Sequence, residues 1–325
     1  MHKEYQYTSA FAAHIAAYIA ERRSAGYMFD NPAYWLSRFD RFCVETKVTD
    51  PSMSKELFDA WSISIPNESK TTQNNRLEAL KNFSVYLNGC GISSYVPHRL
   101  PMPEKKVPYL MSDDDIKAFF KAVDEYYPMG NVSEFKRLAY QYKVLFRMIY
   151  CCGLRNSEAC ELRAENIDLD TGKIEIIHSK GDKDRLVYLP EDLRLMCRSY
   201  RKWLRTELGY DSEWFFPGKD PVKFILKTSV DRKFNELWNS TENASLCDKK
   251  PTVHCLRHAF VIKRMNEWMM QGIDLNNMMP YLSNHLGHSS PLGSFYYYHQ
   301  VEDTFRIIKQ HEEILSTVIP EVISE

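Results

Sequence analysis

The stretch HCLRHAF, residues 254–260, lies in a segment whose apolar spacing predicts a helix. His254, Arg257 and His258 fall on one face of that helix, because residues three and four positions apart are neighbours. The opposite face is apolar and carries Ile262, Met265 and Met269. Two imidazoles and a guanidinium gathered on one face need a partner. The stretch is therefore either a surface helix held by ion pairs or one wall of an anion site.

A second stretch, GLRNSE at residues 153–158, places Arg155 directly before a predicted helix start at Asn156 or Ser157. The backbone N–H groups at the start of a helix attract anions, and a guanidinium beside them adds a planar fork of donors. Taken alone, this motif favours an ordinary surface arginine over an anion site.

Two more stretches add a lysine, a histidine and three tyrosines. HSKGDKDR, residues 178–185, puts Lys180 beside a tight glycine turn, although Lys183 competes for the same role and hairpin lysines are often simply solvated. HLGHSSPLGSFYYYH, residues 285–299, supplies His288 and then three consecutive tyrosines.

The four stretches together offer cations and hydrogen-bond donors around a phenol. A ligand that matches such a set is an anion whose negative charge grows during the reaction, and a phosphodiester fits this description. Arginine binds the non-bridging oxygens of a phosphate with its planar fork. A phenol with a pKa of about 10 needs a nearby base and a cationic pocket before it becomes a nucleophile.

Hydrophobic periodicity predicts a mainly helical chain. In the first hundred residues, apolar side chains recur every three or four positions in the segments 10–27, 34–46 and 74–91. A proline-rich, charged segment follows and is typical of an interdomain linker. Further helices are predicted at 111–127, with Ser112 as N-cap, and at 137–152, ending at Gly153. The clearest strand signal lies within residues 165–190 and predicts a small antiparallel sheet of two or three strands.

Composition is that of a globular protein with a proper core. Of the 325 residues, 44% are hydrophobic and 26% charged, and no apolar run is long enough to cross a bilayer, so we expect a cytoplasmic protein. The eight cysteines form no CxxC pair, which argues against a disulfide framework and a cysteine-based zinc module. The net charge of −1 gives no support for a nucleic-acid partner, which must then be bound by a local basic surface.

Taken in order, the four stretches resemble the active-site motifs of the tyrosine recombinases, the phage-integrase family. GLRNSE resembles the first-arginine motif, with Glu158 as its helix-packing acid, and SKGDKDRLVYLP resembles the β-hairpin lysine motif. HCLRHAF resembles the His-x-x-Arg box, and LGH with a later Tyr-x-His resembles the last motif. The pattern is closest to integrases of bacterial transposons and conjugative elements.

This resemblance implies the fold of a tyrosine recombinase: a helical, SAM-like core-binding domain followed by an α-rich catalytic domain with a small antiparallel sheet. The corresponding limits are 1–96 for the first domain, 97–109 for the linker and 110–300 for the catalytic domain. Residues 301–325 form a C-terminal helix or tail that is exchanged between protomers or packs on its own domain.

The resemblance also implies a role for each catalytic residue. In the family, the nucleophile follows the LGH histidine by nine residues and precedes a histidine by two, which selects Tyr297. Arg155 and Arg257 would clamp the scissile phosphate, with His288 as a further donor. His254 would assist proton transfer from the tyrosine, and Lys180 would protonate the departing 5′ oxygen. The product is a 3′-phosphotyrosine link, formed without metal or cofactor.

The implied partner is double-stranded DNA with inverted-repeat core sites, bound by a dimer to tetramer of the chain, without a membrane. An accessory DNA-bending or directionality factor is a further possible partner, and integration and excision of a mobile element are the expected outcome. Residues expected to contact DNA lie around the third predicted helix and in the linker: Lys70, Thr72, Asn75, Arg76, Lys81, Lys105 and Lys106.

Three alternatives stay open at this point. A metal-dependent hydrolase would use the imidazoles of His254, His258, His285 and His288 as a zinc site, but the chain has no HExxH motif and such a site leaves Arg155 and Lys180 without a role. A topoisomerase IB-like enzyme would nick and reseal DNA without a partner duplex. An accessory DNA-binding protein without catalysis is disfavoured because all six catalytic positions are occupied.

Overall fold

The computed structural model describes residues 4–100, 108–128, 132–177, 184–247 and 249–287. The chain divides into two compact units, Met1–Val107 and Pro108–Glu325. This division falls inside the segment 97–109, and the predicted domain limits themselves stay a prediction.

Over its described residues, 4–100, the N-terminal unit is a bundle of four helices. These are α1 (Ala12–Ser24), α2 (Asp30–Glu45), α3 (Lys55–Ser62) and α4 (Lys70–Gly89). Ser69 caps α4, since its side chain accepts a hydrogen bond from the backbone N–H of Thr72. The core of the unit is rich in aromatic rings, among them Phe11, Tyr18, Phe39 and Phe83.

The C-terminal unit is also mostly helical. Its helices are α5 (Asp113–Glu125), α6 (Ser133–Cys152), α7 (Asn156–Cys160), α8 (Glu191–Leu208), α9 (Lys227–Asn239), α10 (Val253–Met270) and α11 (Leu275–Leu286), with short 3₁₀ turns at Ala164–Asn166 and Glu242–Leu246. The predicted N-cap Ser112 is confirmed, because its hydroxyl accepts from the N–H of Asp115 and the Asp115 carboxylate accepts from the N–H of Ser112. No helix in the described ranges is long and apolar enough to span a membrane.

The predicted sheet is confirmed as three antiparallel strands in the order β1-β2-β3, with β1 at Ile167–Asp168, β2 at Lys173–Ile176 and β3 at Arg185–Tyr188. Ile174 lies opposite Val187, and both point into the core. Helix α6 is the central element, because it packs against both α8 and α10 and buries Phe146 and Ile149. The end of α6 therefore lies beside α10, which carries the His-x-x-Arg stretch.

Candidate active site

The turn after α6 sets the position of Arg155. Gly153 ends the helix with φ of 63°, in the left-handed region that favours glycine. A Cβ at this residue would lie 2.6 Å from Cδ1 of Phe260 on α10, so glycine also allows the close approach of the two helices. Arg155 follows as the N-cap of α7, as the sequence predicted.

Glu158 is the centre of a cluster of three arginines. Its carboxylate accepts from the backbone N–H of Arg155 at 2.8 Å and from Nη1 of Arg155 at 2.6 Å. Arg185 binds the same carboxylate with both Nη atoms, at 2.9 and 2.7 Å. Nη1 of Arg257 lies 3.9 Å from it. Because the Glu158 side chain is only 6% exposed, these contacts form in a dry environment where ionic hydrogen bonds are strong.

The same three arginines bind the last carbonyls of α11. Nε of Arg185 donates to the carbonyl of His285 at 2.6 Å, Nη2 of Arg257 to that of Leu286 at 2.6 Å, and Nη2 of Arg155 to that of Gly287 at 2.9 Å. Cations are favourable at this end of a helix, where carbonyls lack intrahelical partners. The cluster therefore fixes the chain at the residue before His288.

The two predicted phosphate-binding arginines differ in their exposure. The side chain of Arg257 is 2% exposed, and its Nη1 donates to the carbonyl of Gly153 at 2.7 Å. The side chain of Arg155 is 19% exposed, and its Nε donates to none of the described residues. Arg155 is thus partly accessible from solvent, while Arg257 supports the site from within.

His254, at the start of α10, remains neutral at neutral pH. Its ring contacts that of His258, with centroids 4.5 Å apart and the planes at 79°. Part of the ring is open to solvent, yet the surrounding protein atoms, followed by the positive charges of Arg257 and Arg155, lower the pKa of His254 to about 4. A neutral imidazole is the form that accepts a proton.

We expect the imidazole of His254 to titrate well below the usual range for histidine, near pH 4, because both burial and neighbouring cations disfavour its charged form. Two-dimensional NMR of the ring C–H resonances across an acid titration measures this directly, with His254→Gln to assign the signal. A titration midpoint at the ordinary value would contradict the electrostatics of the site.

His285 has a structural role. Its ring stacks on Phe260 with centroids 5.3 Å apart, and its Nε2 lies 2.9 Å from the carbonyl of Cys152, to which the neutral ring donates. Burial, then the charge of Arg185 among others, lowers the pKa of His285 despite that hydrogen bond. Within the described residues, no three His, Cys, Asp or Glu side chains lie close enough to hold a metal ion. Because Nε2 of His285 donates to the Cys152 carbonyl, that nitrogen is not placed as a metal ligand. His288, the fourth histidine of the zinc-site alternative, lies outside the described residues.

Several predicted residues fall outside the described part of the chain. They are the catalytic Lys180, His288 and Tyr297, the competing Lys183, Tyr296 and Tyr298, and the linker residues Lys105 and Lys106. Their roles stay predictions.

The prediction that Arg76 contacts DNA is contradicted by its burial. The side chain is 1% exposed, and it binds the carboxylate of Glu68 with Nε and Nη2, both at 2.8 Å. It also donates to the carbonyls of Trp61 and Ile63 and lies over the Trp61 ring. Arg76 instead fixes the loop that leads into α4.

The other nominated residues of α4 are placed differently. Lys70 and Asn75 are exposed, while Thr72 and Lys81 are half-buried. Thr72 is engaged with the N-cap Ser69 through its backbone and its hydroxyl. Lys70 and Lys81 lie eleven residues apart, about three helical turns, and so project from the same face of α4.

Sequence reasoning missed Arg185, although one signal was present. Strand β3 alternates, with Arg185 and Val187 buried and Leu186 and Tyr188 exposed. A period-two pattern that turns an arginine inward and a leucine outward indicates a buried partner for the charge. That partner is Glu158, twenty-seven residues earlier in the chain.

Comparisons with known proteins identify one family. The model of the phage integrase family matches residues 110–303. The putative integrase/recombinase y4eF of Sinorhizobium fredii is 27% identical, over 71% of this chain and 83% of the relative. The tyrosine recombinase XerD of Rhizobium meliloti is 25% identical, over 76% of this chain and 75% of its own. Among solved structures, the XerH site-specific recombinase in its post-cleavage complex with palindromic difH substrate has a TM-score of 0.66 at 19% identity, covering 95% of this chain and 86% of that one.

Proposed function

The chain belongs to the phage integrase family, the tyrosine recombinases, and from this premise we propose that it cleaves and rejoins DNA strands through a 3′-phosphotyrosine intermediate. The observation that carries the proposal is the arginine cluster around Glu158, which brings Arg155 and Arg257 together beside His254. Guanidiniums held in place before the reaction stabilise charge on a phosphate without reorganisation.

In the proposed reaction, the hydroxyl oxygen of Tyr297 attacks the scissile phosphorus and the bond from phosphorus to the 5′ oxygen breaks. His254, neutral at the start, receives the phenolic proton, directly or through water. Lys180 gives a proton to the 5′ oxygen. Arg155 and Arg257 neutralise the non-bridging oxygens, and His288 donates a further hydrogen bond. One phosphate ester bond forms as another breaks, so the energy of the phosphodiester is retained in the phosphotyrosine link. Attack by another 5′ hydroxyl on that link therefore needs no ATP.

A phosphate in the site changes the state of His254. Its pKa is lowered to about 4 partly by Arg257 and Arg155, and a bound phosphate offsets those positive charges. The pKa therefore rises when DNA binds, which makes the imidazole a better proton acceptor at the moment it is needed. Each positioned acid or base contributes on the order of 10²–10⁴ in rate.

The substrate we propose is double-stranded DNA with inverted-repeat core sites, which a dimer to tetramer of the chain recombines in the cytoplasm. Integration and excision of a mobile element is the outcome we favour, with exchange of residues 301–325 between protomers and an accessory factor for direction. The DNA contacts of the N-terminal unit are assigned to Lys70, Thr72, Asn75 and Lys81 on α4, and those of the linker to Lys105 and Lys106.

The test uses duplexes tiled across the DNA that flanks the gene, each with a nick that lets the cleaved strand diffuse away. We expect the wild-type protein, in EDTA, to form a covalent protein–DNA band on a denaturing gel with one of them. Proteolysis and mass spectrometry then locate the nucleotide on a tyrosine. Absence of any band, together with cleavage that appears only when zinc is added, would replace this proposal with the hydrolase.

A further inference from the structure

A groove of ≈ 410 Å³ opens next to the candidate active site. Arg155 and His254 line one part of it, and Lys227 at the start of α9 lines another. Ser157 and Thr252, both exposed, add hydroxyl donors. The groove thus extends the cationic surface of the site in one direction, beyond the residues that the family motifs contain.

Lys227 is free to bind an anion. Its side chain is exposed and forms no ion pair with any residue that the structure describes. Its charge is among the causes that lower the pKa of His254, which places the ammonium within electrostatic reach of the imidazole. Lys227 is also the first residue of α9, whose N-terminus carries a partial positive charge, and no side-chain cap neutralises that end of the helix.

One carboxylate also lines the groove, that of Asp231, one turn after Lys227. Its Oδ1 accepts a hydrogen bond from Nδ2 of Asn156 at 2.8 Å, which ties α9 to α7. The contact that the structure gives for the Asp231 carboxylate is therefore with the wall of the groove, and not with Lys227. Among the described residues that line the groove, Asp231 is the one acid, against the cations Arg155 and Lys227. The Glu158 carboxylate that pairs with Arg155 is shared with Arg185 and Arg257, so this part of the site keeps a net positive charge.

We infer that Lys227 forms a second phosphate subsite, which binds the backbone phosphate adjacent to the scissile one on the same DNA strand. The inference rests on the proposed function, because it takes the phosphate beside Arg155 and His254 as the scissile one. An ammonium suits this task, since it is a compact point charge that contacts a phosphate without imposing planar geometry. Such a contact sets the register of the strand in the site.

The first measurement is the salt dependence of binding to a mixed-sequence duplex, which requires no cleavage. Losing one phosphate contact lowers the slope of log K against log salt by about 0.9. We expect this decrease for Lys227→Ala, whereas Lys227→Arg, which keeps the positive charge, should have the slope of the wild-type protein. Lys223→Ala is the matched control, because Lys223 is an exposed lysine four residues earlier that lies 3.8 Å from Asp220.

The second measurement locates the phosphate. Duplexes that form the covalent band are made with a neutral methylphosphonate at single positions on either side of the scissile phosphate. At one position adjacent to the scissile phosphate, we expect the neutral group to slow adduct formation by the wild-type protein about tenfold, which is the effect of losing one charge-assisted hydrogen bond. In Lys227→Ala this contact is already absent, so the same methylphosphonate should cause no further decrease in rate.

The outcomes separate the two hypotheses. The subsite is wrong if every methylphosphonate slows adduct formation equally in the wild-type protein and in Lys227→Ala, and if Lys227→Ala leaves the slope of log K against log salt unchanged. The proposed recombinase reaction is unaffected by that result. If the wild-type protein forms no adduct with any duplex, the proposed reaction fails, and the salt slope alone decides whether Lys227 binds phosphate.

Discussion

Replacement of Tyr297 by phenylalanine is expected to abolish the covalent protein–DNA adduct while leaving DNA binding close to that of the wild-type protein. The phenolic oxygen is the only atom of this side chain that bonds to phosphorus, and its removal leaves the ring in place. A phenol is only about a thousandth ionised at neutral pH, so the reaction depends on its surroundings. In the proposed reaction, the described part of the site supplies these surroundings: the positive charges of Arg155 and Arg257 stabilise the phosphate, and a neutral His254 receives the proton.

Tyr296→Phe and Tyr298→Phe are the matched controls, since they make the same chemical change one residue away. The sequence predicts a helix for this segment, and neighbouring residues of a helix point about 100° apart. We therefore expect one of the three tyrosines to face the phosphate. Gel detection of the adduct and an electrophoretic binding assay on the same samples separate catalysis from affinity. An adduct that persists in Tyr297→Phe and disappears in a neighbouring variant shows that the nucleophile was assigned one residue off.

Local signals explain why most of the fold was predictable. Apolar spacing predicts the helices, the N-cap Ser112 begins α5, and Gly153 ends α6 because few residues adopt its left-handed conformation. The order of motifs then predicts Arg155, His254 and Arg257, which the structure brings into one site. None of these inferences needs knowledge of a distant partner.

The buried positions of Arg76 and Arg185 were harder to predict, because each side chain is stabilised by a carboxylate elsewhere in the chain. Arg76 stands in a polar run, but it also lies one residue before Leu77 and four before Leu80, both buried. Helical spacing therefore puts it on the inner face of α4, where the carboxylate of Glu68 compensates its charge and nearby carbonyls accept its remaining donors. The polar run around Arg76 suggested a surface residue, whereas the apolar spacing of α4 correctly indicates a buried one.

Substitution of Glu158 by glutamine is expected to destabilise the C-terminal unit by about 3–5 kcal/mol, the typical cost of breaking a buried ion pair from one side. The change leaves Arg185 and Arg257, both almost fully buried, without their carboxylate. Equilibrium urea unfolding followed by tryptophan fluorescence measures the loss. Glu165→Gln is the control, since that carboxylate is 74% exposed and 3.9 Å from Arg163, and its removal should cost under about 1 kcal/mol.

The stabilisation by Glu158 depends on pH in a definite direction. Burial raises the pKa of Glu158, but the hydrogen bonds and charge of Arg185, with the backbone N–H of Arg155, outweigh it and lower the pKa to about 2. A carboxylate with a lowered pKa in the folded state stabilises the fold above its unfolded pKa, about 4.3, and loses this effect as pH falls towards 2. The stability difference between wild type and Glu158→Gln should therefore shrink on acidification through this window.

Arg185→Lys separates positioning from stability in the same cluster. Lysine keeps the charge and can still pair with Glu158, but it has no planar fork to bind the carboxylate with two nitrogens and the carbonyl of His285 with a third. That carbonyl lies three residues before His288, and β3 begins five residues after Lys180. We expect DNA affinity to persist and adduct formation to slow, because the segments on either side of the cluster lose their common anchor. Adduct formation at the wild-type rate would show that Arg185 serves folding alone.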